Sequence, residues 1–139
     1  MMERKADPLR DRIERAADGL CYTGPSGTPF EFRRFPGITI PVAQLSATEL
    51  ASLGGARGGE VRELTLDELL ARHIERVDAR DVEGVALVPR FEALRAAIRQ
   101  SLDGVRVVRH VGVEVRCFAL GNDPATGEIA GVETAAGGR

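Results

Sequence analysis

The 139-residue sequence has no tryptophan, one tyrosine and five phenylalanines, two cysteines and two histidines. Each shortage removes a class of function. Aromatics at 4% cannot furnish the stacking platform on which single-stranded nucleic acid is bound. A formal net charge of −2 removes a general cationic attraction to nucleic acid or anionic lipid, so direct nucleic-acid binding is not expected. No apolar run approaches the roughly 20 residues of a membrane span, and Met1–Asp7 does not lead into a signal-type apolar segment. A cytoplasmic protein is the expectation, with Cys21 and Cys117 reduced and packed as small hydrophobes. There is no His-x-x-x-His, Cys-x-x-Cys or Asp-rich calcium loop, so neither a metal site nor a cofactor is expected. Two histidines give little from which to build a base and its orienting partner, and an enzyme is not expected. His73 reads as a boundary residue of a helix and His110 as a solvated turn residue.

What remains is ample for one domain. Hydrophobic residues make up 43% and charged residues 29%, ordinary for a globular chain that needs no staple. Asp7-Pro8 opens a helix whose apolar positions are Leu9, Ile13, Ala16, Ala17 and Leu20. Residues 21–28 are rich in breakers and read as an exposed loop, followed by an alternating strand through Phe30 and Phe32 that ends at Pro36-Gly37. Ser46 with Glu49 and Thr65 with Glu68 are capping boxes that open two further helices. The glycine-rich stretch Gly54–Gly59 lacks the Lys-Ser/Thr ending of a phosphate loop and reads as a flexible connector. Pro89 predicts a kinked or two-piece helix before the apolar stripe of Phe91, Leu94, Ile98 and Leu102. Asp103-Gly104 ends that stripe, and period-2 alternation then runs through Val107 and from Val113 to Leu120. Gly121–Gly127 is a dense turn before Ile129 resumes an extended run. After Thr134 the chain has nothing to pack, which gives an expected ordered core of about 7–134 and a mobile tail over 135–139.

Residues 60 to 83 hold eight carboxylates against four arginines. Such a face suits a protein that occupies a cationic cleft, with association accelerated by steering and weakened by salt.

Ala17-Asp18-Gly19-Leu20, Thr28-Pro29-Phe30-Glu31, Arg90-Phe91-Glu92-Ala93-Leu94, Arg109 through Gly121, and Glu128-Ile129-Ala130-Gly131-Val132 together resemble, in this order and over nearly the whole chain, the nuclease A inhibitor family. The resemblance implies a single-domain α+β fold, a three-layer α-β-α sandwich around a central, mostly antiparallel sheet. It also implies a cytoplasmic, immunity-type inhibitor that plugs the active site of a sugar-nonspecific, magnesium-dependent nuclease. Three segments of that family approach the target: the loop before Pro-Phe-Glu, the acidic segment ahead of the long helix, and the C-terminal end. Carried onto this sequence, they are the loop Gly24–Thr28, the segment Asp78–Glu83 and the tail Glu133–Arg139, which nominate Pro25, Asp78, Asp81, Glu83, Glu133, Thr134 and Arg139 as partner-binding residues, with Glu31 of Pro-Phe-Glu added to them. Pro25 stands where a glutamate is expected, Ala79 where an aromatic is expected, and Arg139 where a hydroxyl residue is expected. The Arg139 side chain cannot reach for the nuclease's bound Mg²⁺, although its carboxylate could. A non-inhibitory adaptor on the same scaffold is the alternative that these departures suggest.

Overall fold

Asp7 caps α1 (Pro8–Ala17), its carboxylate accepting from the Arg10 N–H at 3.2 Å. The proline beside it loses nothing, because a first-turn N–H has no helical partner. The computed structural model describes residues 7–22, 28–75 and 80–136. Both capping boxes form. Ser46 and Glu49 satisfy each other's backbone N–H groups at 2.8 and 3.0 Å to start α2 (Ala47–Leu53), and Thr65 and Glu68 do the same at 2.8 and 3.0 Å for α3 (Leu66–Ile74). Asp81 accepts from Gly84 N–H at 2.9 Å and caps α4 (Val82–Ser101). This 20-residue helix runs through Pro89, so the expected two-piece helix does not occur. Proline removes one backbone donor, and burial of Phe91, Leu94 and Ile98 keeps the helix in one piece.

Five strands, β1 (Glu31–Phe35), β2 (Glu60–Leu64), β3 (Asp103–Val111), β4 (Val115–Asn122) and β5 (Ile129–Ala136), form one sheet in the order β1-β5-β4-β3-β2, every pair antiparallel. The fold is α+β. Strand β2 is not visible in the hydropathy pattern because it is a charged edge: Glu60, Arg62 and Glu63 are exposed and only Val61 and Leu64 are half-buried. Both faces of β4 are buried. Cys117 and Ala119 join an apolar cluster with Leu9, Ile13, Leu70, Phe91, Leu94 and Ile98 from α1, α3 and α4. Phe118 and Leu120 join a second cluster with Val42, Leu50 and Ala51 from α2 and the 3-10 turn Val42–Gln44.

Close approach of the backbone explains two glycines. A Cβ on Gly54 would lie 2.1 Å from the Phe118 ring, and one on Gly131 would lie 1.9 Å from the Ala119 carbonyl oxygen. The Gly54–Gly59 stretch is therefore fitted against the sheet rather than a loose connector. The Gly54 carbonyl accepts from Arg116 at 2.6 Å and the Gly58 carbonyl lies 2.6 Å from His110 Nε2. The 121–127 turn forms as its residues predict, with Asp123 N–H bonded to Glu128 O at 2.8 Å and Gly127 N–H to Asp123 O at 2.7 Å. β5 runs to Ala136, two residues into the stretch expected to be mobile, because Ala135 is bonded to Thr28 through both its N–H and its carbonyl.

At the end of the sheet where α1 begins, Arg34 gathers three carboxylates: Asp7 at 2.7 Å, Asp123 at 3.0 Å and Glu128 at 3.1 Å. Burial alone would raise the Asp7 pKa, but hydrogen bonds from Arg34 and Arg10 hold it below the ordinary 3.8. Hydrogen bonds from Arg106, at 2.8 and 2.6 Å, outweigh burial and hold Glu63 below the ordinary 4.5. Depressed carboxylates stabilise the fold above their ordinary values and cease to do so as pH falls through the lowered ones. Chemical denaturation should therefore give a stability that is flat from neutral pH to about 5 and falls below about 4.5. Asp7→Asn should flatten that acid limb; an unchanged limb would contradict the assignment.

Candidate partner-binding surface

The register across the sheet places Glu60 beside Val111, Val111 beside Val115, and Val115 beside Ala136, with Glu31 opposite Glu133. These positions mark one end of the sheet. The first turn of α4 points to the same end: Ser101 lines the cleft formed with Asp7, Asp123 and Glu128 at the far end, whereas Phe91 packs on Phe30, next to Glu31. From Phe91 to Val82 the helix rises roughly 13 Å further in that direction.

The base of this end is built from aromatic rings. Phe30 meets Tyr22 and Phe91 edge to face, with centroids 6.2 Å apart in each case, and His73 stacks on Phe91 at 4.1 Å. Arg109 donates to the Tyr22 hydroxyl at 2.8 Å. Burial raises the pKa of that hydroxyl and of the neighbouring Cys117 thiol, which keeps both protonated at neutral pH. His73 is thus a core residue, 5% exposed, not the boundary residue expected; a single histidine on a helix face gives no hint of the two rings that tertiary packing brings to it.

Above this floor, Tyr22 and Thr28 are bonded to each other, and Thr28 is fastened to β5. Tyr22 N–H donates to Thr28 O at 3.1 Å and Thr28 N–H to Ala135 O at 3.1 Å. Ala135 N–H donates to Thr28 Oγ1 at 2.8 Å, and the Thr134 hydroxyl donates to Thr28 O at 3.0 Å. Thr28 and the end of β5 therefore sit at fixed spacing, so a partner that touches either meets both.

The nominated residues divide accordingly. Glu31 and Glu83 are exposed at this end. Asp81 caps α4 with one carboxylate oxygen. Thr134 is 3% exposed and turned toward Thr28. Glu133 lies between two arginines: Arg116 Nε donates to it at 3.0 Å and Arg33 pairs with its other oxygen. Pro25, Asp78 and Arg139 lie outside the described residues, as does Ala79. Glu133 and Thr134 are recognisable as internal partners only once β1, β4 and β5 are paired, since Arg33 and Arg116 are remote in sequence.

Exposed apolar side chains were not anticipated here. Among the described residues, Val82, Val85, Val111 and Val113 are large hydrophobics left exposed at this end, mingled with Glu60, Glu83 and Glu114. Val82 directly after the capping Asp81, outside the Phe91 stripe, was the available signal. His110, expected to be a solvated turn residue, is 6% exposed beneath the β3–β4 hairpin. Its burial depends on Gly59 and Gly112, where a Cβ would stand 3.2 and 2.9 Å from its ring. Among the described residues, no group of three or more His, Cys, Asp or Glu could hold a metal ion, and no helix is long and apolar enough to cross a membrane.

Glu133→Ala would leave Arg116 over the Phe118 ring without its counter-charge. A loss of about 2 kcal/mol is expected, the partial exposure of both arginines keeping it below the cost of a fully buried pair. Urea denaturation measures it, and a loss below about 0.5 kcal/mol would show that the bridge contributes nothing.

In comparisons with known proteins, the family model described as nuclease A inhibitor-like protein matches residues 7–136. No curated protein matches.

Proposed function

Because the chain belongs to the nuclease A inhibitor-like family, we propose that it is a protein inhibitor that occludes the active site of a sugar-nonspecific, metal-dependent nuclease. The family match carries this reading. Thr28, fastened to the end of β5, supports this end of the sheet as a preformed contact, and the exposed Glu31 and Glu83 supply charge of the sign that a cleft evolved for phosphates attracts.

In this reading α2 covers one face of the sheet and α1, α3 and α4 the other, giving a three-layer α-β-α sandwich. The sheet end carrying the 23–27 loop, the residues before α4 and the end of β5 enters the nuclease cleft. Glu31, Asp78 and Glu83 face its cations. Asp81, Glu133 and Thr134 hold the contact segments in place, and Pro25 and Arg139 lie on the loop and tail that approach the metal. The chain acts by exclusion, in the cytoplasm, and carries out no reaction.

The substitutions at Pro25 and Ala79 favour one other reading, an adaptor that keeps the scaffold and binds without inhibiting. Titration of the chain into nuclease A, and into the sugar-nonspecific nucleases of the source organism, separates the two. An inhibitor removes DNA and RNA hydrolysis together, linearly, to completion near a 1:1 ratio. Full activity of every nuclease at a tenfold excess of the chain would overturn inhibition.

A further inference from the structure

The β3–β4 hairpin ends in a tip that is rigid at its base and apolar at its summit. Gly112 N–H donates to Glu114 O at 3.2 Å, and Val113 between them is fully exposed. Beneath it His110 is buried with Nε2 2.6 Å from the Gly58 carbonyl. A Cβ on Gly112 would stand 2.9 Å from the His110 ring, and one on Gly59 would stand 2.5 Å from Val111 O. The hairpin is thus wedged against the 58–59 turn, and no side chain of its own folds over Val113. A β-branched residue on a fixed tip has little rotamer freedom left to lose on contact.

Its surroundings specify the occupant. Glu114 follows Val113, and Glu60 sits across from Val111 on β2, loosely paired with Arg62 at 3.8 Å; both carboxylates are exposed. This is an apolar knob between carboxylates, at the same end of the sheet as Asp81-Val82-Glu83, which has the same character. We propose that the tip Gly112–Glu114 is a second contact with the target nuclease. Val113 enters an apolar depression on the wall beside the cationic cleft, and Glu60 and Glu114 face the lysines or arginines along its rim. The proposal rests on the inhibitor reading and extends the contact from the three nominated segments to a fourth that the sequence did not single out.

The test compares wild type with Val113→Ser for binding to whichever nuclease of the panel above is inhibited. Val113 buries nothing in the free protein, so the variant should melt with the wild type. Its Kd should rise about tenfold, chiefly through faster dissociation, as expected for truncation of an interface anchor. Glu60→Lys with Glu114→Lys should instead slow association in a salt-dependent way. Wild-type inhibition with both variants unchanged would overturn the hairpin contact and leave the inhibitor reading standing. No inhibition of any nuclease by the wild type would overturn both.

Discussion

Phe118→Ala is expected to lower the unfolding free energy by about 3–5 kcal/mol, a large share of the roughly 5–15 kcal/mol that holds a domain of this kind together. The ring is fully buried among Val42, Leu50, Val108 and Ile129. Gly54 lacks a Cβ because the ring occupies that space, and Arg116 lies over it at 5.0 Å from the centroid. Truncation therefore removes a contact between α2 and the sheet and leaves a void that a backbone already fitted to the ring cannot collapse into. Urea denaturation should show a lower midpoint with an unchanged slope. A loss below about 1 kcal/mol would mean that the α2 side of the sheet is not a cohesive core.

The second large effect is on association. Glu31→Lys with Glu83→Lys moves the formal net charge from −2 to +2 by changing two exposed side chains at the proposed contact end. The association rate with the target nuclease should fall about 10- to 100-fold at low ionic strength, because steering toward a cationic cleft becomes repulsion. The difference should nearly vanish at about 1 M salt, where the Debye length is about 3 Å. Stability should change by less than about 0.5 kcal/mol. Equal association rates at low salt would show that these carboxylates do not face the partner.

Local chemistry was legible in the sequence. Ser46 with Glu49, Thr65 with Glu68, the Phe91-Leu94-Ile98 stripe and the 121–127 turn each depend on neighbours a few residues away, and each forms as its spacing predicts. The family resemblance was legible too, because it lay in the order of such short stretches. What could not be seen depends on cross-sheet pairing. β2 is a strand because β3 offers it an edge, not because its alternation is strong. Glu133 looked like a free carboxylate until Arg33 and Arg116 arrived from two other strands. His73 read as a boundary residue and His110 as a solvated one because the rings around the first and the 58–59 turn against the second are distant in sequence. The exposed valines changed the expectation in another way: a mainly acidic set of expected contacts became one in which exposed apolar side chains stand beside acids. Interfaces commonly combine an apolar centre with a polar rim, so this mixture suits a protein partner better than charge alone would.

Amide hydrogen exchange on the chain with and without an inhibited nuclease tests most directly whether one end of the sheet makes the contact. Ile38, Ile40, Leu45 and Leu53 line a groove beside α2, on the opposite face of the sheet from α1. Protection is expected over residues 22–31, 76–85, 111–115 and 133–139, with none over α1 or over that groove. Protection centred on that groove or on α1, with the sheet end unchanged, would contradict it.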